Sequence, residues 1–95
     1  MIQAWLPANL AGVPDGVTVS VTGTLSGVVK AETRQQRMWA NAVVETGDGS
    51  VRIQVYPKVY PTCVDLLVDG GRATVVGIMD RRADVPFVLA QEVTA

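Results

Sequence analysis

MWANAVVETGDGSVRIQVY, residues 38–56, reads as two alternating runs joined by a glycine-rich turn, the pattern of a β-hairpin. Successive side chains of a strand point to opposite faces. In the first run Ala40, Ala42 and Val44 therefore share one face, and Trp39, Asn41, Val43 and Glu45 share the other. In the second, Val51, Ile53 and Val55 alternate with Arg52, Gln54 and Tyr56. The hairpin is expected to turn its small and branched residues inward and to present a mixed outer face. That face carries a large aromatic, two amides and an arginine, a set that a surface meeting only water has little use for.

Upstream, VTVSVTGTLSGVVK (residues 17–30) begins as strict alternation, with Val17, Val19 and Val21 set against Thr18, Ser20 and Thr22. Gly23 and Gly27 interrupt it, and Val28–Val29 breaks the phase. Internal glycines and a phase slip in a long strand predict a bend around a barrel corner. AETRQQR (residues 31–37) has no periodic apolar residue and reads as a loop into the hairpin. Downstream, in PKVYPTCVDLLV (residues 57–68), Tyr60, Val64 and Leu67 stand at i, i+4 and i+7 with Cys63 beside them. This predicts a short helix with one face packed inward. Pro61 suits its first turn, so the helix should start near Tyr60; Asp69–Gly70–Gly71 should end it. Tyr56 and Tyr60, either side of Pro57, are expected to pack helix against barrel with their hydroxyls at the rim. RATVVGIM (72–79) and FVLAQEVT (87–94) read as two more strands, joined by a polar turn.

Residues 1–16, broken by Pro7, Gly12, Pro14 and Gly16, read as a lead-in segment ending in a turn, and 17–95 as the domain. Trp5, Leu6 and Leu10 of the lead-in could pack onto the domain or onto a second copy of it. The remaining order is strand, strand, strand, helix, strand, strand. An all-β chain of this order predicts a five-stranded OB-fold Greek-key barrel with a short helix between its third and fourth strands. An SH3-like barrel also has five strands, but lacks a helix of this length at that point.

Ninety-five residues suit one domain, burying roughly 60–65% of the surface the unfolded chain exposes. At 48% hydrophobic and 18% charged, the composition is too apolar for disorder. No apolar run approaches the ~20 residues that span a bilayer. Residues 1–11 lack a basic start and include Pro7 and Asn9, a poor secretory leader. Cys63 stands alone and histidine is absent, so neither an internal disulfide nor a metal site is expected. No cofactor and no membrane contact are expected, and the expected location is cytoplasmic.

Certain residues carry a resemblance. VTGTLSGVV, GDGSVRIQVYPKVY, DLLVDGGRATVVGIMDRR and FVLAQEV together resemble the anticodon-type OB-fold nucleic-acid-binding domain. Within that family the chain looks most like the version in the C-terminal part of the bacterial DNA polymerase III alpha subunit. The likeness covers about Val17 to Thr94. Its most specific piece is Tyr56–Pro57 with Val59–Tyr60 and Leu66–Leu67, followed by Gly77 and Asp80–Arg81–Arg82. The resemblance implies binding of single-stranded nucleic acid on strands two and three and their flanking loops. Asn41 stands where such domains usually place a stacking phenylalanine, and Thr46 where they often carry an acid. Trp39, one step along the same face, is the aromatic available for stacking. No polymerase, synthetase or helicase motif accompanies the domain.

The net charge of −1 does not favour nucleic acid, but distribution matters more than the sum. On the provisional barrel, Lys30, Arg34 and Arg37 lie in or beside the loop between the first two strands. Arg52 is on the hairpin's mixed face, and Arg81 and Arg82 lie between the last two strands. Six of the eight cations thus converge on the usual OB-fold groove. They meet four acids there, Glu32, Glu45, Asp80 and Asp84. Trp39 can stack on a base, and Asn41 and Gln54 can both donate and accept toward base edges. The candidate nucleic-acid-binding residues are therefore Lys30, Arg34, Arg37, Trp39, Asn41, Arg52, Gln54, Arg81 and Arg82. The acids occur as scattered singles, with no phosphate-cradling loop and no nucleophile beside a base, so an enzyme is not expected. The expected function is a binding module for single-stranded DNA or RNA, DNA preferred on the polymerase likeness, serving replication, repair or recombination. A replication protein and a second copy of the chain are further partner classes. The alternative is a docking or oligomerisation module that touches no nucleic acid.

Overall fold

Val19, Val21 and Leu25 set the inner face of a strand much longer than either arm of the hairpin. In the computed structural model, which describes residues 3–4, 14–47, 49–81 and 86–95, the elements are β1 (Gln3–Ala4), β2 (Thr18–Glu32), β3 (Met38–Thr46), β4 (Gly49–Val55), α1 (Tyr60–Cys63) with a 3₁₀ turn (Val64–Leu66), β5 (Arg72–Asp80) and β6 (Phe87–Thr94). Around the barrel the order is β2, β3, β4, β6, β5 and back to β2. The five-stranded Greek-key barrel expected from the sequence is what forms. β1, within the lead-in, adds a parallel strand outside β2, Gln3 opposite Val19. Trp5, Leu6 and Leu10 lie outside the described residues.

β2 closes the barrel by serving two partners. Its first half, Thr18–Thr24, pairs with β5, and its second, Thr24–Glu32, with β3. The corner falls at the two glycines. A Cβ on Gly23 would run into the Glu45 carbonyl oxygen of the crossing strand. Gly27 takes a left-handed φ of 57° within a bulge between Ser26 and Val29. The Val28 amide, turned out of the ladder there, donates to Asp69 Oδ1 at 2.8 Å. Past the bulge β2 continues to Glu32, so the expected 31–37 loop shortens to residues 33–37.

The hairpin faces are as the alternation predicts. Ala40, Ala42 and Val44 are buried opposite Val55, Ile53 and Val51. Val19, Val21, Leu25, Val75, Met79, Val88 and Val93 complete the core around them. Burying each Val, Leu or Ile side chain contributes roughly 1.5–3 kcal/mol, which fixes the register because a one-residue slip would expose the whole set.

The helix starts at Tyr60 with Pro61 in its first turn, but its inner face departs from expectation. Cys63 and Leu67 are the buried pair, whereas Tyr60 is only half-buried against the core and Val64 is turned further out. The cause is length: after four α-helical residues the chain tightens into a 3₁₀ turn, so the 3.6-residue period does not carry through. Burial pushes the Cys63 thiol above its ordinary range, and the residue packs into the core as a small hydrophobe. Among the described residues, no helix is long and apolar enough to cross a membrane.

Candidate nucleic-acid interface

With Ala40, Ala42 and Val44 inward, the outer face of the hairpin follows from register. Asn41 lies opposite Gln54 and Val43 opposite Arg52. One step beyond the Ala40–Val55 pair, Trp39 and Tyr56 are brought level. They share a recess of about 310 Å³ lined by Thr33, Trp39, Gln54, Tyr56 and Pro57. Trp39 is half-buried on the side the alternation predicted. Tyr56 departs from expectation: it does not pack the helix on the barrel but stands 44% exposed. β4 ends at Val55, and the Tyr56 carbonyl accepts the Val59 and Tyr60 amides at 2.9 and 3.0 Å. That turn carries Tyr60 to the helix and leaves Tyr56 behind beside Trp39. The signal was present in the Arg52, Gln54, Tyr56 alternation.

A tight turn holds the loop cations at this end of the face. Thr33 donates its amide to the Arg37 carbonyl at 2.7 Å and accepts the Gln36 amide at 2.9 Å. Its Oγ1 also accepts the Arg37 amide at 3.2 Å. Gln36 closes the turn in the left-handed region, φ 61°, after a hydrogen-bonded β-turn from Thr33. Arg34 and Arg37 project from this frame, both exposed. Arg52 is exposed near the other end, where β6 begins with Phe87 opposite it and Asp80 opposite Phe87. The end of β5, with Asp80, therefore lies at the Arg52 end. From Arg52 to Tyr56 the strand covers about 13 Å, at ~3.3 Å per residue.

Arg81, directly after β5, is half-buried, and its amide donates to Asp15 Oδ1 at 2.8 Å. Arg82 and Asp84 lie outside the described residues. Asp80, grouped with the acids of the groove, is 6% exposed and so does not project onto the face.

The structure does not bring Lys30 to this face. An unbroken ladder continuing the Ser26–Val43 pair would have put Lys30 opposite Trp39. The bulge takes up one extra residue, so Lys30 falls opposite Ala40, Glu32 opposite Met38 and Val29 opposite Asn41. Lys30 and Glu32 leave from the other side, and Val29, 59% exposed, takes a place on the mixed face. The phase slip is legible in the sequence, but which residue it delivers to the face is not.

Between Val29 and Gln54, the Asn41 side chain sits half-buried at the middle of the face. Its Oδ1 is buried and has no hydrogen-bond partner among the described residues. An unsatisfied buried acceptor costs roughly 1–3 kcal/mol. The face thus combines a flat aromatic recess, an uncommitted amide acceptor, and cations at both ends.

No protein-family model matches this chain. Solved structures do. The chain is similar to part of RecG bound to a three-way DNA junction, with a TM-score of 0.67 and 20% identity over 99% of this chain. It spans 12% of the RecG chain's length. It is also similar to the second OB-fold domain of replication protein A from Methanococcus maripaludis, with a TM-score of 0.65 and 9% identity over 96% of this chain and 92% of that one. A third likeness is the dimeric N-terminal domain of PriB from Thermoanaerobacter tencongensis, at a TM-score of 0.64 and 15% identity over 81% and 92%. The fold is the OB-fold. In OB-folds, oligonucleotides and oligosaccharides bind on the second and third barrel strands and the loops after the first and fourth. Here those strands are β3 and β4, the loop after the first barrel strand is residues 33–37, and Arg81 is the described residue that follows the fourth.

Proposed function

We propose that this chain is a binding module for single-stranded nucleic acid, without catalysis of its own, that stacks bases on Trp39 and holds phosphates with the arginines at the two ends of the hairpin face. The recess that Trp39 and Tyr56 share beside the arginine turn carries this reading. Every base has a π-face, so stacking there is tolerant of sequence and contributes roughly 1–3 kcal/mol per base. Arg34, Arg37 and Arg52 would fix position on the backbone. Asn41 and Gln54 would face base edges between them. Gln36 and Asp69 belong to the supporting frame.

The RecG likeness, solved on a three-way DNA junction, and the replication protein A likeness support nucleic acid as the partner class. The sequence resemblance to the polymerase III alpha subunit favours DNA over RNA and a role in replication, repair or recombination. A cytoplasmic location belongs to the same reading. A second reading, an oligomerisation module, is favoured by the exposed Val29 and by the dimeric PriB likeness.

Fluorescence separates the two. In a Trp5→Phe background, a single-stranded oligonucleotide should quench Trp39, and Trp39→Ala should weaken binding by roughly 1–3 kcal/mol with little change in folding. If DNA leaves the fluorescence unchanged and Trp39→Ala instead dissociates an oligomer, the module is a protein-docking one.

A further inference from the structure

Pro57 has a recess on each side. Beyond the one that holds Trp39 lies a second, about 440 Å³, lined by Arg37, Met38, Pro57, Tyr60, Pro61 and Val64. Alternation makes the two neighbours, since Met38 and Trp39 are consecutive in β3 and leave it on opposite sides. The turn after β4 does the same for the tyrosines. By accepting the amides of both Val59 and Tyr60, the Tyr56 carbonyl fixes Tyr60 across the Pro57 ring from Tyr56. Tyr60 packs partly on the core and offers the rest of its ring to the recess. Arg37 is exposed at the lip, its backbone clasped by Thr33.

We propose that this second recess is a base-binding subsite: one base of a single strand stacks on Tyr60, its neighbour fills the Trp39–Tyr56 recess, and Arg37 meets the phosphate joining them. The proposal rests on reading the first recess as a nucleic-acid site. Three features fit this occupant. The recesses share a wall, so a strand crossing Pro57 stays on the surface throughout. Among the described residues the lining carries a cation and no acid, which suits a polyanion. Each volume is near the lower end of small-molecule pockets, the scale of one nucleoside, and each offers an aromatic platform.

The test titrates deoxythymidine oligonucleotides, from a dinucleotide upward, into the full chain at one low salt concentration, reading anisotropy and Trp39 fluorescence. Tyr60→Leu keeps an apolar group on the core and removes the ring. It should weaken binding of the longer oligonucleotides roughly 5- to 150-fold, while saturating oligonucleotide still quenches Trp39. Val64→Glu, a partly exposed position that sets a carboxylate in the recess, should also weaken binding, and serves if Tyr60→Leu does not fold. If both variants bind every oligonucleotide like the unaltered chain while Trp39→Leu does not, the second recess is empty and the first site stands. Failure of the unaltered chain to bind any oligonucleotide removes both sites together. If Tyr60→Leu turns a dimer into a monomer in sedimentation without changing oligonucleotide affinity, the recess belongs to a second copy of the chain, and the proposal fails.

Discussion

Gln36 adopts a conformation that costs a residue with a Cβ roughly 1–2 kcal/mol, and among the described residues it is the one non-glycine with positive φ. Thr33 holds it there through three hydrogen bonds that close the turn. Glycine would occupy the position without that cost, at some expense in unfolded-state entropy. Gln36→Gly is therefore expected to raise stability by about 0.5–1 kcal/mol in urea unfolding, and a loss would mean that the glutamine side chain supports the turn. Asn41 poses the complementary case. Its orphaned Oδ1 is a standing cost to the fold, and an apolar residue of similar size removes it. Asn41→Leu should leave stability unchanged or raise it by about 1 kcal/mol, and should weaken oligonucleotide binding. A large loss of stability would instead make Asn41 a structural residue.

At the scale of elements, the bulge of β2 decides what the hairpin face contains. One residue taken up between Ser26 and Val29 exchanges Lys30 for Val29 beside Asn41 and turns a lysine away from Trp39. Two devices hold it: the left-handed Gly27 and Asp69, which reaches from the loop before β5 to the Val28 amide. Asp69 is exposed, so its hydrogen bond contributes about 1 kcal/mol rather than the value of a buried charge. Asp69→Ala should lower the melting temperature by roughly 4–8 °C, the shift about 1 kcal/mol produces in a domain of this size. It should also speed hydrogen exchange at the Val28 amide. An unchanged melting temperature and an unchanged Val28 exchange rate would leave Gly27 as the sole device holding the bulge.

At the scale of the whole molecule, a net charge of −1 coexists with a face framed by Arg34 and Arg37 at one end and Arg52 at the other. The register sends Lys30 and Glu32 off the face together, so the local excess of positive charge survives the loss of Lys30. If about three or four arginines meet phosphates, the logarithm of affinity should fall against the logarithm of salt concentration with a slope of roughly −2 to −3, at ~0.7 per contact on a single strand. Titrations at several salt concentrations measure it. A slope near zero would mean binding by stacking alone and would remove the arginines from the site.

The sequence by itself determined which side of each hairpin strand faces the core, where α1 begins, that β2 bends, and the strand order that makes the OB-fold. All of these depend on neighbours a few residues apart, since period-2 alternation, a proline and a pair of glycines act within their own segment. Trp39 was placed on the outer face for this reason. Only the tertiary structure decided what stands across from what. Lys30 and Val29 exchanged roles because the offset of a ladder depends on where β2 itself absorbs one extra residue, which no periodicity records. Tyr56 joined Trp39 rather than the helix because the chain turns at Pro57, and Asp69 met Val28 across forty-one positions. The unpartnered oxygen of Asn41 belongs with these, since whether an amide is satisfied depends on neighbours contributed by two other strands.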